Sequence, residues 1–301
     1  MPVYNGERYL RRAVDSLLNQ TFEDFELIIS DNASDDGTEQ ICRDYAARDR
    51  RIQYCRNDRN LGSVANFNGV FYLANGEYFK WAGCDDWWEP RYLERCVKTL
   101  DEDAGVILVT CHERHLDDSG QWFNFEYDGF RASSSTPHER FAAMLRRQVT
   151  DPTYNVDLIY SVMRRRTLSR TGLFRPMLST HLVLGLELSL LGRFRHIPEV
   201  LAYRRKHLLK SETEAIRWYV ADGERYRARF VRFCLNVGRI TLSAPVGRFQ
   251  KVRCLIELVW YSARLSPKRL WMWGRRVVGL RSRLRAVRQA VSRRQSGRSP
   301  T

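Results

Sequence analysis

The chain has 301 residues, 44% of them hydrophobic, with 50 Lys and Arg against 35 Asp and Glu for a formal net charge of +15. That length and apolar content suffice for one large core, and the basic excess is confined to one end. From Lys210 onward there are 22 basic and 5 acidic residues, a net +17, while the preceding part stands at −2, which argues against a nucleic-acid-binding core.

In chain order, Met1 to Tyr4 is too short for a full strand, yet Asn5-Gly6 turns sharply into a helix with Leu10, Val14, Leu17 and Leu18 on one face. Phe25 to Ser30 is a short apolar run of the buried-strand kind. It ends at Asp31 and a turn, Asn32-Ala33-Ser34-Asp35-Asp36-Gly37-Thr38, in which Asp36 or Thr38 can cap the next helix. A helix over about Thr38 to Ala47, a strand over Ile52 to Cys55, a loop over Arg56 to Gly62 and a helix over about Ser63 to Ala74 follow. Glu77 to Ala82 then reads as a strand broken by Gly83-Cys84 just before Asp85-Asp86. Alternating strands and helices at this spacing predict an α/β fold with a mostly parallel sheet and right-handed crossovers. In such a sheet, ligands bind outside the carboxyl ends of the strands. Adjacent carboxylates there suit a hard divalent cation and, through it, a diphosphate.

Pro2-Val3-Tyr4-Asn5-Gly6, the Asp31 to Thr38 run, Asn60-Leu61-Gly62, Asn66, Gly76-Glu77-Tyr78 and Asp85-Asp86 stand in the order seen in family-2 inverting glycosyltransferases, which the chain resembles over about residues 1 to 205. The resemblance implies the GT-A fold, a Rossmann-like domain flanked by helices that binds a nucleoside-diphosphate sugar, here expected to be UDP-linked. It implies further apolar residues before Met1, forming a central strand. The expectation is a start upstream of Met1, because losing that strand would strip pairing partners from its neighbours.

Carried over residue by residue, the resemblance assigns the nucleotide sugar to Pro2, Tyr4, Asn5, Asp31, Asn60, Asn66, Asp85, Arg204 and Arg205. Mg²⁺ or Mn²⁺ goes to Asp85 and Asp86. The acidic motif of relatives often has a further Asp two residues earlier, where this chain has Gly83. Trp87 and Trp88 are candidates for the acceptor side. Relatives place the catalytic base, an acidic residue, in the slot that His181 fills, with Glu187, Asp151 and Asp157 as other candidates. Histidine titrates near neutrality and suits the role. The competing expectation is a non-catalytic relative that binds donor but has lost its base. Arg204-Arg205-Lys206-His207 follows a strand-like Glu199 to Tyr203 and is placed to neutralise a diphosphate.

Three segments are expected: a GT-A domain over 1–209, an amphipathic basic helical extension over 210–280 and a disordered basic tail over 281–301. In the extension Trp218, Tyr219, Tyr226, Phe230 and Phe233 interleave with arginines, followed by Leu255, Ile256, Leu258, Val259, Trp260 and Tyr261, then Leu270, Trp271 and Trp273. Such helices suit an anionic membrane surface. The longest apolar stretch, Cys254 to Tyr261, contains Glu257 and is far short of the roughly 20 residues a spanning helix needs. The alternative is packing on the helices' own domain or in a homodimer. The seven cysteines (Cys42, Cys55, Cys84, Cys96, Cys111, Cys234 and Cys254) show no CxxC pair or zinc pattern. They fit reduced thiols in a cytoplasmic protein, peripheral on the inner face of the membrane. A carbohydrate or lipid-linked acceptor completes the expected partners, with no nucleic acid among them.

Overall fold

The computed structural model describes residues 1–125, 131–150, 158–177, 179–206 and 229–264. The strands are β1 (Pro2–Val3), β2 (Leu27–Asp31), β3 (Ile52–Arg56), β4 (Tyr78–Phe79), β5 (Trp87–Trp88), β6 (Val106–Asp117), β7 (Trp122–Phe125), β8 (Val162–Arg164) and β9 (Arg193–Lys206). The helices are α1 (Glu7–Leu18), α2 (Thr38–Arg48), α3 (Ser63–Leu73), α4 (Tyr92–Asp101), α5 (Pro137–Thr150), α6 (Arg165–Leu168), α7 (Thr180–Leu191), α8 (Arg229–Ser243) and α9 (Arg248–Arg264).

The first three strands pair in parallel in the order β1-β2-β3, as alternation of strand and helix requires. β1 is two residues long, Pro2 opposite Ser30 and Val3 opposite Asp31, and the Met1 amino group donates to the Ile28 carbonyl at 2.6 Å. The other strands form a mixed sheet, β4-β8-β6-β9-β5, with β7 on β6. Among the described residues only β6 and β9 run parallel there. The expected strand over Glu77 to Ala82 shrinks to Tyr78–Phe79, paired antiparallel with β8. Lys80 to Asp86 leave the ladder, and that departure frees the acidic pair from sheet geometry.

Side chains of β2 alternate across the sheet. Leu27 and Ile29 join Leu10, Val14 and Ile41 on the α1–α2 side, whereas Ile28 joins Val70 and Phe71 of α3 on the other. A register shift between Val106 and Leu108 breaks the same alternation in β6, so consecutive Ile107 and Leu108 both enter the second core. Trp81 is fully buried at its centre, stacked edge-on with Phe79 and Phe174, and its indole N–H donates to the Phe67 carbonyl at 2.8 Å.

α8 and α9 are built into this core. Phe233, Val237, Ile240, Cys254, Leu258 and Tyr261 lie in the same cluster as Phe141 and Leu145 of α5 and Leu184 and Leu188 of α7. Their inner faces therefore pack on their own domain, and the cores do not divide at residue 209. The aromatic residues expected between Lys210 and Ala228, and everything expected after Arg264, lie outside the described residues.

Candidate functional site

Two loops at the carboxyl ends of β1 and β2 are laced together. Asn5, at φ 53°, gives its backbone N–H to Ser34 Oγ at 2.9 Å and accepts from Asp35 N at 3.0 Å. Gly6 N donates to Thr38 Oγ1 at 2.8 Å, and Glu7 N to Asp36 at 3.1 Å. A Cβ on Gly6 would lie 2.6 Å from Val3, so only glycine permits this approach. Burial works against the Asp36 carboxylate, but hydrogen bonds from Thr38 and the Glu7 backbone outweigh it and hold its pKa low. Ala33 also sits at positive φ, 61°. Backbone held this way gathers at sites where shape matters more than local stability.

Asp31 is fully buried at the end of β2. One carboxylate oxygen accepts from Ser34 N at 2.8 Å and Ser34 Oγ at 2.5 Å; the other accepts from Tyr54 OH at 3.0 Å and pairs with Arg56. Burial and the neighbouring Asp31 push the Tyr54 phenol up. The parallel register sets Asp31 directly opposite Arg56. Asn66 is buried as well; its side-chain oxygen accepts from Ser30 Oγ at 2.6 Å and its amide nitrogen donates to Ser30 O at 3.0 Å. Asn60 accepts from Asn32 at 2.8 Å and from Gly62 N at 2.9 Å. These asparagines hold the loop between β3 and α3 against the end of β2. Pro2 is buried in β1, and Tyr4 is exposed.

The acidic pair lies just before β5. β5 pairs antiparallel with β9, Trp87 opposite Tyr203 and Trp88 opposite Ala202, so the ladder carries Asp86 and Asp85 toward Arg204 and Arg205. Asp86 accepts from Arg205 N at 3.2 Å and faces Arg204 Nε at 3.6 Å. Arg204 also faces Glu113 at 3.6 Å, and its guanidinium lies 4.1 Å from the Tyr160 ring centroid. Lys80 completes the cluster, donating to the Tyr160 carbonyl and lying 4.5 Å from the Trp88 ring centroid. Burial pushes the Asp86 carboxyl up against the opposing pull of Arg204, and it pushes the Lys80 ammonium down. For Glu113 burial acts upward too, but Arg204 and His115 prevail and keep it low. A Cβ at Gly83, where relatives often carry the additional acid, would meet Asp86 Oδ2 at 2.6 Å and Asp85 Oδ1 at 3.1 Å. Both carboxylates thus lean over one point.

Hard oxygen donors converging there suit Mg²⁺ or Mn²⁺ chemically, provided phosphate or water oxygens complete the shell. Among the described residues no group of three or more His, Cys, Asp or Glu could hold a metal alone. Arg205 lies 4.2 Å over the Tyr9 ring, and its buried Nε makes no hydrogen bond among the described residues. Trp87 and Trp88 are buried: Trp87 stacks on Tyr203 with centroids 5.4 Å apart and planes 3° apart, beneath the Arg12 guanidinium.

His181 stands in the first turn of α7, behind Ser179 at φ 60°. α7 packs against the turn Leu158–Tyr160, whose last residue holds Lys80 and Arg204. Glu187 is taken up by Arg175 at 2.9 Å and Gly172 N, so it is spent on the loop before α7. Asp151, Asp157 and His207 lie outside the described residues. Sequence reasoning missed Lys80, Glu113, Tyr160 and Arg56. Arg56 had a signal, a charged residue ending a strand parallel to that of Asp31. The other three gain meaning only from long-range pairing.

A parallel three-stranded sheet whose loops interlock, with an acidic pair and arginines facing it from a mixed sheet, defines the Rossmann-like GT-A class. The solved structures agree in fold. S. aureus TarS 1–349 with UDP-GlcNAc matches at TM-score 0.66 and 18% identity, covering 89% of this chain and 72% of that one. Its complex with UDP matches at 0.63 and 18%, covering 86% and 69%. The family model described as glycosyl transferase family 2 matches residues 1–171, and the chain belongs to that family. Curated relatives include an uncharacterized glycosyltransferase, MJ1057, of Methanocaldococcus jannaschii, 33% identical over 122 residues, 40% of this chain and 42% of that protein. The putative glycosyltransferase EpsH of Bacillus subtilis is 32% identical over 120 residues, 40% of this chain and 34% of that protein. The matched stretch thus spans less than half the length of either relative.

Proposed function

We propose that the protein is an inverting glycosyltransferase that moves a hexosyl group from a UDP-linked donor to an acceptor hydroxyl on a polysaccharide or lipid-linked intermediate. The observation that carries this reading is the convergence of Asp85 and Asp86 over Gly83, opposite Arg204 and Arg205. The loops at Tyr4-Asn5 and Asp31 to Ser34 cradle the nucleoside, with Asp31 shaping the base and ribose pocket through Ser34, Tyr54 and Arg56. Asp85 would hold Mg²⁺ or Mn²⁺, with Asp86 behind it, and the ion would supply Lewis-acid stabilisation of the departing diphosphate. Arg205 Nε, lacking a protein partner among the described residues, is directed to a diphosphate oxygen.

His181 takes the acceptor proton as its hydroxyl oxygen attacks the anomeric carbon. The new carbon–oxygen bond forms while the bond to the diphosphate oxygen breaks, the nucleoside diphosphate leaves with that electron pair, and configuration inverts. UDP is favoured because two TarS structures that share the fold are complexes with UDP and UDP-GlcNAc.

Calorimetry of the full chain with UDP, GDP and dTDP, each with and without Mn²⁺, tests the pocket. Binding of UDP strengthened by Mn²⁺ and lost in Asp85→Ala is expected; binding indifferent to both would sink the donor site. Donor hydrolysis or transfer with His181→Ala then separates an enzyme from a donor-binding relative. Turnover falling about 10²-fold or more with UDP affinity unchanged marks the base. Unchanged turnover leaves donor binding alone as the function of this site.

A further inference from the structure

α8 and α9 carry apolar side chains on two sides, and only the inner side has a partner among the described residues. Opposite the buried Cys254 and Leu258, α9 presents Phe249, Val252, Ile256 and Val259, and α8 presents Val231, Leu235 and Leu242. All seven are between 54% and 69% exposed. At helical spacing the four on α9 fall within an arc of roughly 80°. Isolated exposed apolar residues need no explanation, but two adjacent stripes on packed helices do. Of the apolar residues that the sequence singles out in these helices, Phe233, Leu258 and Tyr261 face inward, whereas Phe230, Ile256 and Val259 are exposed.

Charge selects the occupant. Residues 229–264 hold seven basic side chains and a single acid, Glu257. That acid is paired with Arg146 of α5. Residues 265–301 hold eleven basic residues and no acid, so folding them onto the stripes would set like charge on like. A second copy would meet the same repulsion. An occupant of opposite sign that also accepts hydrocarbon is required. Nucleic acid supplies only the charge.

We propose that the outer face of the α8–α9 pair docks on an anionic lipid bilayer. The Val231-Leu235-Leu242 and Phe249-Val252-Ile256-Val259 stripes enter the boundary between headgroups and acyl chains, with Arg232, Arg239, Arg248 and Arg253 on lipid phosphates. No helix among the described residues is long and apolar enough to cross a membrane, and this mode needs none. None of these residues belongs to the donor site, so the inference stands or falls apart from the catalytic reading.

Flotation of the full chain with phosphatidylcholine vesicles, with and without about one third phosphatidylglycerol, reads the interaction directly. Strong partition onto anionic vesicles is expected, with little onto neutral ones. Ile256→Asp with Val259→Asp should lower partition about tenfold or more, leaving UDP binding and helical circular dichroism as in the parent. If that pair misfolds, Phe249→Ser with Val252→Ser tests the same stripe. Partition equal in parent and folded stripe variant, or no anionic partition at low salt, overturns the proposal. So does light scattering that finds a dimer broken by Ile256→Asp, or RNA binding that matches vesicle binding and ignores the stripes.

Discussion

Arg204 and Arg205 are adjacent in sequence and opposite in duty. Arg204 compensates Asp86 and Glu113 inside the fold, at 3.6 Å from each, so Arg204→Met leaves the buried Asp86 and the partly buried Glu113 without their guanidinium. That variant should lose thermal stability first, because an uncompensated buried charge costs several kcal/mol, on the order of 3–5. Arg205 has its Nε idle and its guanidinium over Tyr9. Arg205→Met should keep the parent's melting temperature and weaken UDP binding about tenfold or more, as loss of a charge-assisted hydrogen bond requires. Calorimetry and thermal melts of the two variants, side by side, check both halves. Equal losses of stability in the two would refute the division.

At the scale of elements, the pairing of β6 with β9 sets Thr110 opposite His196. His196 Nδ1 lies 2.8 Å from Thr110 Oγ1, and its Nε2 lies 3.1 Å from His112 Nδ1. Burial and the neighbouring His112 push His196 down to about 4, with Glu113 pulling weakly the other way. The unfolded chain therefore binds a proton near its ordinary pKa of 6.5 that the folded chain refuses until about 4. The stability from this residue is complete above pH 6.5 and is lost as pH falls through that window. Melting temperatures measured across it should drop less steeply for His196→Gln than for the parent. Parallel pH profiles would show that the pair contributes nothing to the acid limb. The β5–β9 ladder is the second example of element-level causation, since it alone brings Asp86 to Arg204 across more than a hundred residues.

For the whole molecule, the decisive feature is that the C-terminal helices complete a core instead of hanging from one. Phe233, Val237, Ile240, Leu258 and Tyr261 bury against α5 and α7, and each large apolar side chain removed from water is worth about 1.5–3 kcal/mol. Ending the chain at Ala228 should therefore abolish cooperative unfolding or leave an aggregating product, because the exposed α5–α7 face is too large to solvate. Chemical denaturation followed by tryptophan fluorescence would read this. A truncated chain with the parent's midpoint would mean that the helices are an appendage after all.

How much was legible in the sequence follows from the range of the interactions involved. Turn chemistry and strand alternation act over a few residues. A mostly parallel sheet, the helices α1 to α3, the turns at Asn5-Gly6 and Asp31 to Thr38, and the resemblance to family 2 glycosyltransferases could be read from residues 1 to 86; the pairing of the two-residue β1 and the hydrogen bonds that interlock those turns could not. Such cues fail where pairing is long-range, within that stretch as well as after it. The strand at Glu77 came out two residues long and antiparallel, because its partner β8 lies more than eighty residues away. Lys80, Glu113 and Tyr160 are individually ordinary, and only strand register and packing make them a charge-compensating cluster around Asp86. The basic excess beyond residue 209 was plain from composition. Which side of α8 and α9 is buried was not, because both sides are apolar; the free face was decided by contact with α5 and α7.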